Sequence, residues 1–537
     1  MDTSINLNTP LLVKTEGEEC TVQYKGRFLY SKKAPSSSIE SLISSISSFE
    51  STLFLFASPV LGYGLISLIS KLLPSSFLFI IECDEKLANL FEKNKANWKA
   101  SNVQYLYSSN TLEIIKKIDE LTSFNFKKCT LIRASGGYAL HQDFYNSLFQ
   151  NMEYEVSNFW KNKITLIAMG RLYAKNIFKN LVHISLNKGK YIYALKKSYV
   201  NKPILVLAAG PSLDESYEFI QKNRNSLFLL AVDVALPALS SLSIVPDAVL
   251  LLEGQYWVEA SFLASNNREI TLFADITSNP HMFNITKGDI FFYGSNYAKM
   301  QYLKDIQTIF PNIPFFDSVG SVGLLAIQIA LFISKYGTPI FHTGLDFSYN
   351  KGFSHSKGSS NWNNLMIRNN RLKSLYPCES VFPNGMMRLK GKNDKNIYST
   401  PILQSYASLY KRLFSHLSNI FDIAKVGMFL RDGISEELAL KHIKDFYKQE
   451  SAYISLQKDE IETKPLINYL KKEKEKLEIL KNMLIGVDSF DEKKFNSILK
   501  TCDYLYSHFP DGAFATTNIS FLKRIRIEIE AFYKIIN

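Results

Sequence analysis

Residues 344–358 read GLDFSYNKGFSHSKG and follow an apolar run directly. Asp346, Tyr349 and His355 share this stretch with Gly344, Gly352 and Gly358. An imidazole titrates near neutral pH and suits a general base. A phenol can donate to a leaving phosphate oxygen. Glycines permit sharp bends. Packing alone does not call for this set; a loop that holds a ligand and moves a proton does.

Three other groups could meet the same ligand. The run AAGPSLDE places Gly210, Pro211, Ser212 and Leu213 between an apolar strand and a helix. Such a turn can offer backbone N–H groups and a helix dipole to phosphate. Ser212 is expected to cap the helix, with Glu215 at the capping-box offset. Asp233 and Glu253 each end an apolar strand, where two acids could bind sugar or ribose hydroxyls or hold a metal. SVGSVG puts Ser318, Gly320 and Ser321 before a helix that starts near Val322, a second expected anion site. The bland alternatives are capped helices, turn chemistry and a solvated loop histidine.

The elements that must carry these groups alternate. Strands are expected at 204–208, 226–233, 246–254 and 339–347, separated by helical stretches, which points to a mostly parallel, doubly wound sheet. Upstream, TLFLFASP reads as a strand, LGYGLISLISKLL as a glycine-led helix, and FLFIIECDE as a second strand ending near Glu82. Gly62, Gly64 and Glu82 fit a nucleotide-binding βαβ unit. The competing expectation is a Rossmann-like unit that binds nothing. Near the C-terminus, Leu477, Leu480 and Leu484 share one helical face among lysines and glutamates. The fold class expected is α/β: an N-terminal Rossmann-like domain over 1–195, a central doubly wound parallel-sheet catalytic domain over 196–435, and a helical domain over 436–537.

Bulk properties bound the function. At 537 residues and 46% hydrophobic, the chain can bury large cores. Its net charge of +12 admits an anionic partner. The lysines are spread along the chain, and no nucleic-acid-binding signature accompanies them, so no nucleic-acid partner is expected. The five cysteines (Cys20, Cys83, Cys129, Cys378, Cys502) form no CxxC pair, so neither a zinc site nor a disulfide framework is indicated. No metal ligands are assigned. Residues 51–70 carry no charge, but Pro59, Gly62 and Gly64 break them into strand, turn and helix rather than a membrane span. A cytoplasmic location is the expectation.

AAGPSL, AVDVALPALSSLSIVPDAVLLLEGQ, SVGSVGLLAIQIA and HTGLDFSYNKGFSHSKG, in that order, resemble the motility-associated factor glycosyltransferases that modify flagellin. GRFLYSKKAPSSSIESL resembles that family's entry segment. The central part is similar to bacterial sialyltransferases and to archaeal 6-hydroxymethylpterin diphosphokinases. Asp233 and Glu253 stand where such sialyltransferases carry asparagine. The resemblance implies a CMP-activated nonulosonic acid donor (pseudaminic, legionaminic or sialic type) and transfer to Ser or Thr of flagellin. It implies catalytic roles for His355, Tyr349 and Asp346. From their own chemistry, nucleotide-sugar contacts are expected for Gly210, Pro211, Ser212, Leu213, Asp233, Glu253, Ser318, Gly320, Ser321 and Gly344, and those of Asp233 and Glu253 are not carried over from the sialyltransferases. No cofactor is assigned with certainty; a divalent cation is a possible addition. The alternatives are a magnesium-dependent pterin-type diphosphokinase, a non-catalytic motility factor that binds flagellin, and a methyltransferase acting through the N-terminal domain.

Overall fold

The computed structural model describes residues 8–95, 97–186, 192–194, 199–263, 269–349, 353–372, 385–450, 453–456, 458, 460–510, 516 and 518–537. Gly352 and Cys378 lie outside the described residues. The chain divides into two compact units, residues 1–165 and 166–537. The division falls within one helix, Gln142–Ser185.

The first unit is built on four parallel strands in the order Val103–Tyr107, Phe77–Glu82, Thr52–Ala57 and Lys128–Arg133. Thr52–Ala57 is buried along its whole length. Its side chains alternate between faces, as strand geometry requires. Leu53, Leu55 and Ala57 enter one apolar cluster, and Phe54 and Phe56 the other. The uncharged stretch becomes this strand and the helix Leu65–Lys71. Among the described residues no helix is long and apolar enough to cross a membrane.

The second unit holds a nine-stranded sheet whose paired strands are all parallel. From one edge the order is Phe315–Asp317, Ile290–Asn296, Leu272–Asp275, Ala248–Leu251, Phe228–Val232, Ile204–Leu207, Ile340–Thr343 and Ile420–Asp422. Ile192–Ala194 pairs beside Ile290–Asn296. The central strands are buried on both faces, hence their unbroken apolar sequences. From Ile204–Leu207 the chain runs outward to Phe315–Asp317, then returns to the other side of Ile204–Leu207 with Ile340–Thr343. That reversal is a topological switch point, where open α/β sheets take ligands. The helix Val322–Ile333, apolar at every position but Gln328, packs against the strands on both sides of it.

Two expected segments join this unit rather than stand apart. Residues 166–195, assigned by sequence to the first domain, supply Ile177, Phe178 and Leu181 to the second unit's core, and Ile192–Ala194 to its sheet. Leu477 and Leu480 from the C-terminal helices are fully buried in the same core, with Leu484 packed against it. The leucine face read from sequence is therefore an inward face, closing onto the sheet's own hydrophobic core.

Candidate active site

At the switch point the turn after Ile204–Leu207 and the loop after Ile340–Thr343 are locked together. Gly210 N–H donates to Gly344 O (2.9 Å). Gly344 N–H donates to Ser212 Oγ (2.8 Å). Ser212 N–H donates to Asp346 Oδ2 (2.8 Å). Gly344 sits at φ +76, and a β-carbon there would collide with the Ala208 carbonyl. One on Gly210 would collide with Gly344 O and the Asp346 carboxylate. The two glycines are what let the two backbones touch.

This changes the expected role of the turn. Its N–H groups are engaged inside the protein: Gly210 with Gly344, Ser212 with Asp346, Leu213 with Gly210 O. Pro211 has none. Ser212 is completely buried, and its hydroxyl accepts Gly344 N–H instead of capping a helix. Pro211–Leu213 is a short 3-10 turn, and the expected capping box with Glu215 does not form. Gly210 to Leu213 therefore build a buried floor at the switch point and present no free amide cradle. Asp346 is 4% exposed and acts as a strut beneath that floor. Its carboxyl is pushed up to about 6 by burial, against the pull of its Ser212 hydrogen bonds and the nearby Lys392 ammonium.

The helix start of the site without a side-chain cap is that of Val322–Ile333. Ser321 occupies its N-cap with no side-chain capping bond, Gly320 is exposed at φ +68, and Ser318 is exposed. Helix N-termini leave their first amides without intrahelical partners. Gly323, in the first turn, lies against Leu345 and Ala208, which brings this end to the switch point. The ring of Tyr406, from the helix Pro401–Phe414, packs on Gly320.

His355 reaches the same place by backbone bonds. Ser356 N–H donates to Ala209 O (2.8 Å), and Lys357 N–H to the Asp214 carboxylate Oδ1 (3.0 Å). Gly358, at φ +80, passes over the helix Leu236–Ser241. The half-buried His355 ring has Asn361 Nδ2 at 3.0 Å from Nε2 and Ser354 Oγ at 3.0 Å from Nδ1. With the Asn361 amide donating to Nε2, the ring proton sits on Nδ1. Burial lowers the His355 pKa to about 4, so the imidazole is neutral at neutral pH. Tyr349 is half-buried, and its main chain pairs with Tyr398.

The carboxylates line the neighbouring part of the sheet's carboxyl rim. Asp233 is buried and accepts Val234 N–H (2.8 Å). Burial lifts its pKa to about 7, and Glu253 adds to the lift. Glu253 is exposed and accepts Gln255 N–H (2.8 Å). Sequence reasoning missed a third acid, Asp275, which ends the strand Leu272–Asp275 and is held by Ser295 Oγ (2.6 Å) and Thr277 N–H (2.7 Å). It missed Asn176 and Asn180 too, one helical turn apart, whose amides clamp the loop carbonyls of Gly254 and Thr277, and of Ile276 and Ser278. The loop so held presents Tyr256 and Trp257, 61% and 59% exposed. Among the described residues no three His, Cys, Asp or Glu side chains form a metal-binding group.

Asp233 has a pH signature. A carboxyl whose folded pKa is raised destabilises the fold once ionised, so its effect is absent below the unfolded value near 3.8 and grows as pH climbs to about 7. Asp233→Asn is expected to gain stability over the wild type at pH 8 and to match it near pH 4, read by urea unfolding at both. An equal difference at both pH values would show that this carboxylate is solvated.

A protein of Treponema pallidum (strain Nichols), described as uncharacterized, is 36% identical over 552 residues, covering 98% of this chain and 95% of that protein. The chain belongs to the same family as this treponemal protein. Residues 175–352 match the family described as 6-hydroxymethylpterin diphosphokinase MptE-like, so the second unit carries an MptE-like domain. The switch-point floor and the open helix end both fall within that match. The solved structure of MAf glycosyltransferase from Magnetospirillum magneticum AMB-1 superposes with a TM-score of 0.53 at 14% identity, covering 99% of this chain and 92% of that one. The chain shares its fold. The resemblance read from the ordered motifs is met by these two findings together.

Proposed function

We propose that the MptE-like family member described here is a glycosyltransferase. On this reading it moves a nonulosonic acid from a CMP-activated donor to a Ser or Thr hydroxyl of flagellin. One observation carries the reading: Ala208 and Ala209, at the switch point, are bracketed by Gly323 at an open helix N-terminus and by the loop that holds His355. An anion-binding end and a neutral imidazole thus flank one crevice.

The donor phosphate is met by the first amides of Val322–Ile333, with Ser318, Gly320 and Ser321 around it. The acid side of the rim is unsuited to phosphate and suited to hydroxyls, so Asp233 and Glu253 orient ribose or sugar. In the reaction the bond from the anomeric carbon to the phosphate oxygen breaks, and CMP leaves with that electron pair. The acceptor oxygen bonds to the anomeric carbon and passes its proton to His355 Nε2, displacing the Asn361 amide. Tyr349 donates to the departing phosphate. Asp346 keeps the floor in place beneath Gly210 and Ser212.

A second reading follows from the MptE-like match: a diphosphokinase using ATP and magnesium, with Asp233 and Glu253 turned to the cation. A thermal-shift comparison separates the two. A ligand bound only by the native state adds about 2.7 kcal/mol at a hundred times its Kd. CMP is expected to raise the melting temperature, with CDP, UDP and Mg·ATP doing so less. Stabilisation by Mg·ATP and not by CMP would overturn the transferase reading in favour of the kinase.

A further inference from the structure

The first unit has a switch point of its own. Thr52–Ala57 starts its sheet, and Lys128–Arg133 returns to the opposite side of that strand. In a nucleotide-binding unit the loops after these two strands would hold a dinucleotide or an adenosyl group, and Glu82 would take ribose hydroxyls. Here both loops are bound to Leu29 and Tyr30.

Tyr30 Oη donates to Pro59 O (2.7 Å) and accepts Leu61 N–H (3.1 Å). Both partners belong to the loop that follows the first strand. On the other loop, Gly136 N–H donates to Leu29 O (2.6 Å), and a β-carbon on Gly136 would press on the Leu29 backbone. Leu29 and Tyr30 are buried and pack with Val22, Tyr24, Val60 and Leu87. Val60 lies at φ +47, an unfavourable conformation for a β-branched residue, and this cluster holds it there.

Glu82 is closed off by the same surroundings. It is fully buried. Its Oε2 accepts Ser58 Oγ (2.9 Å). Its Oε1 accepts Cys83 N–H (2.8 Å), Asp84 N–H (3.0 Å) and Tyr145 Oη (3.0 Å). Both oxygens therefore have internal donors, and a ribose would have to displace them.

We propose that Tyr30 is the resident ligand of the first unit's crevice, and that this unit takes neither a dinucleotide nor S-adenosylmethionine. The phenol fills the space of a flat ring, and its hydroxyl makes the donor and acceptor contacts that a ligand would make with the loop at 59–61. The proposal stands apart from the transferase reading, which concerns the second unit alone.

The test uses the full chain. Wild-type protein is expected to show no saturable binding of NAD+ or S-adenosylmethionine in equilibrium dialysis up to about 1 mM. Tyr30→Ala is expected to melt roughly 5–10 °C lower. Added p-cresol should recover at least half of that loss while leaving the wild type unchanged. Should the alanine variant not fold, Tyr30→Phe keeps the ring and removes only the hydroxyl. Amide exchange at Leu61 is then expected to rise at least about tenfold. Saturable cofactor binding by the wild type that alters exchange at Leu61 or Gly136 would overturn the proposal. So would Leu61 exchange unchanged in Tyr30→Phe.

Discussion

Gly344→Ala is expected to abolish soluble, folded protein or to leave a second unit with its switch-point turns parted. Two costs fall on the same atom. The residue sits at φ +76, where an alanine costs about 1–2 kcal/mol. The new β-carbon would also enter the space of the Ala208 carbonyl, which is backbone and cannot rotate away. Relief requires parting the strands Ile204–Leu207 and Ile340–Thr343, which breaks the bonds Gly210 N–H to Gly344 O and Gly344 N–H to Ser212 Oγ. Gly486→Ala is the control: Gly486 ends the helix Thr463–Ile485 at φ +77 with nothing near its missing β-carbon. That variant is expected to lose only about 1 kcal/mol. Soluble yield and urea unfolding of both variants check the difference. A Gly344→Ala as mild as Gly486→Ala would mean that the strand ends are not locked as described.

The same locked strand ends show where sequence reading succeeds and where it stops. Apolar runs such as ILVL and FLLAV report strands buried on both faces, because a two-sided core needs no polar alternation. Glycines beyond those strands report turns. Their order along the chain places both turns at one sheet reversal. The destination of a turn's hydrogen bonds is different. Ser212 N–H is engaged by Asp346, 134 positions away, so no local pattern reveals that the amide is already taken. Glu82 illustrates the same limit. Its spacing from Gly64 suits a ribose acceptor, but Ser58 and Tyr145 engage its carboxylate, and the latter comes from the helix Gln142–Ser185. Asn176 and Asn180 look like ordinary polar positions in a long helix, since their loop carbonyl partners are about a hundred residues away. Asp275 ends a strand just as Asp233 does, and that signal was available in the sequence. Tyr406 carried none, because only the packing of its helix brings it onto Gly320.

His355→Ala is expected to lower turnover at least about a hundredfold while CMP binding persists, the usual loss when a general base is removed. On the proposed reading donor binding should survive, because the phosphate is assigned to the start of Val322–Ile333 and the floor is held by Asp346 and Ser212. The pH dependence makes the claim specific to this histidine. A base works deprotonated, and burial lowers the His355 pKa from its ordinary value near 6.5 to about 4. The limb that belongs to His355 is therefore expected near pH 4, below the range in which the buried Asp346 and Asp233 carboxyls titrate, about 6 and about 7. Asn361→Ala is expected to shift that limb, since the Asn361 amide lies 3.0 Å from Nε2. Steady-state rates of both variants across pH, beside CMP titrations, give the reading. A wild-type profile with no step near pH 4 would assign the base to another group, and unchanged turnover in His355→Ala would remove His355 from the reaction altogether.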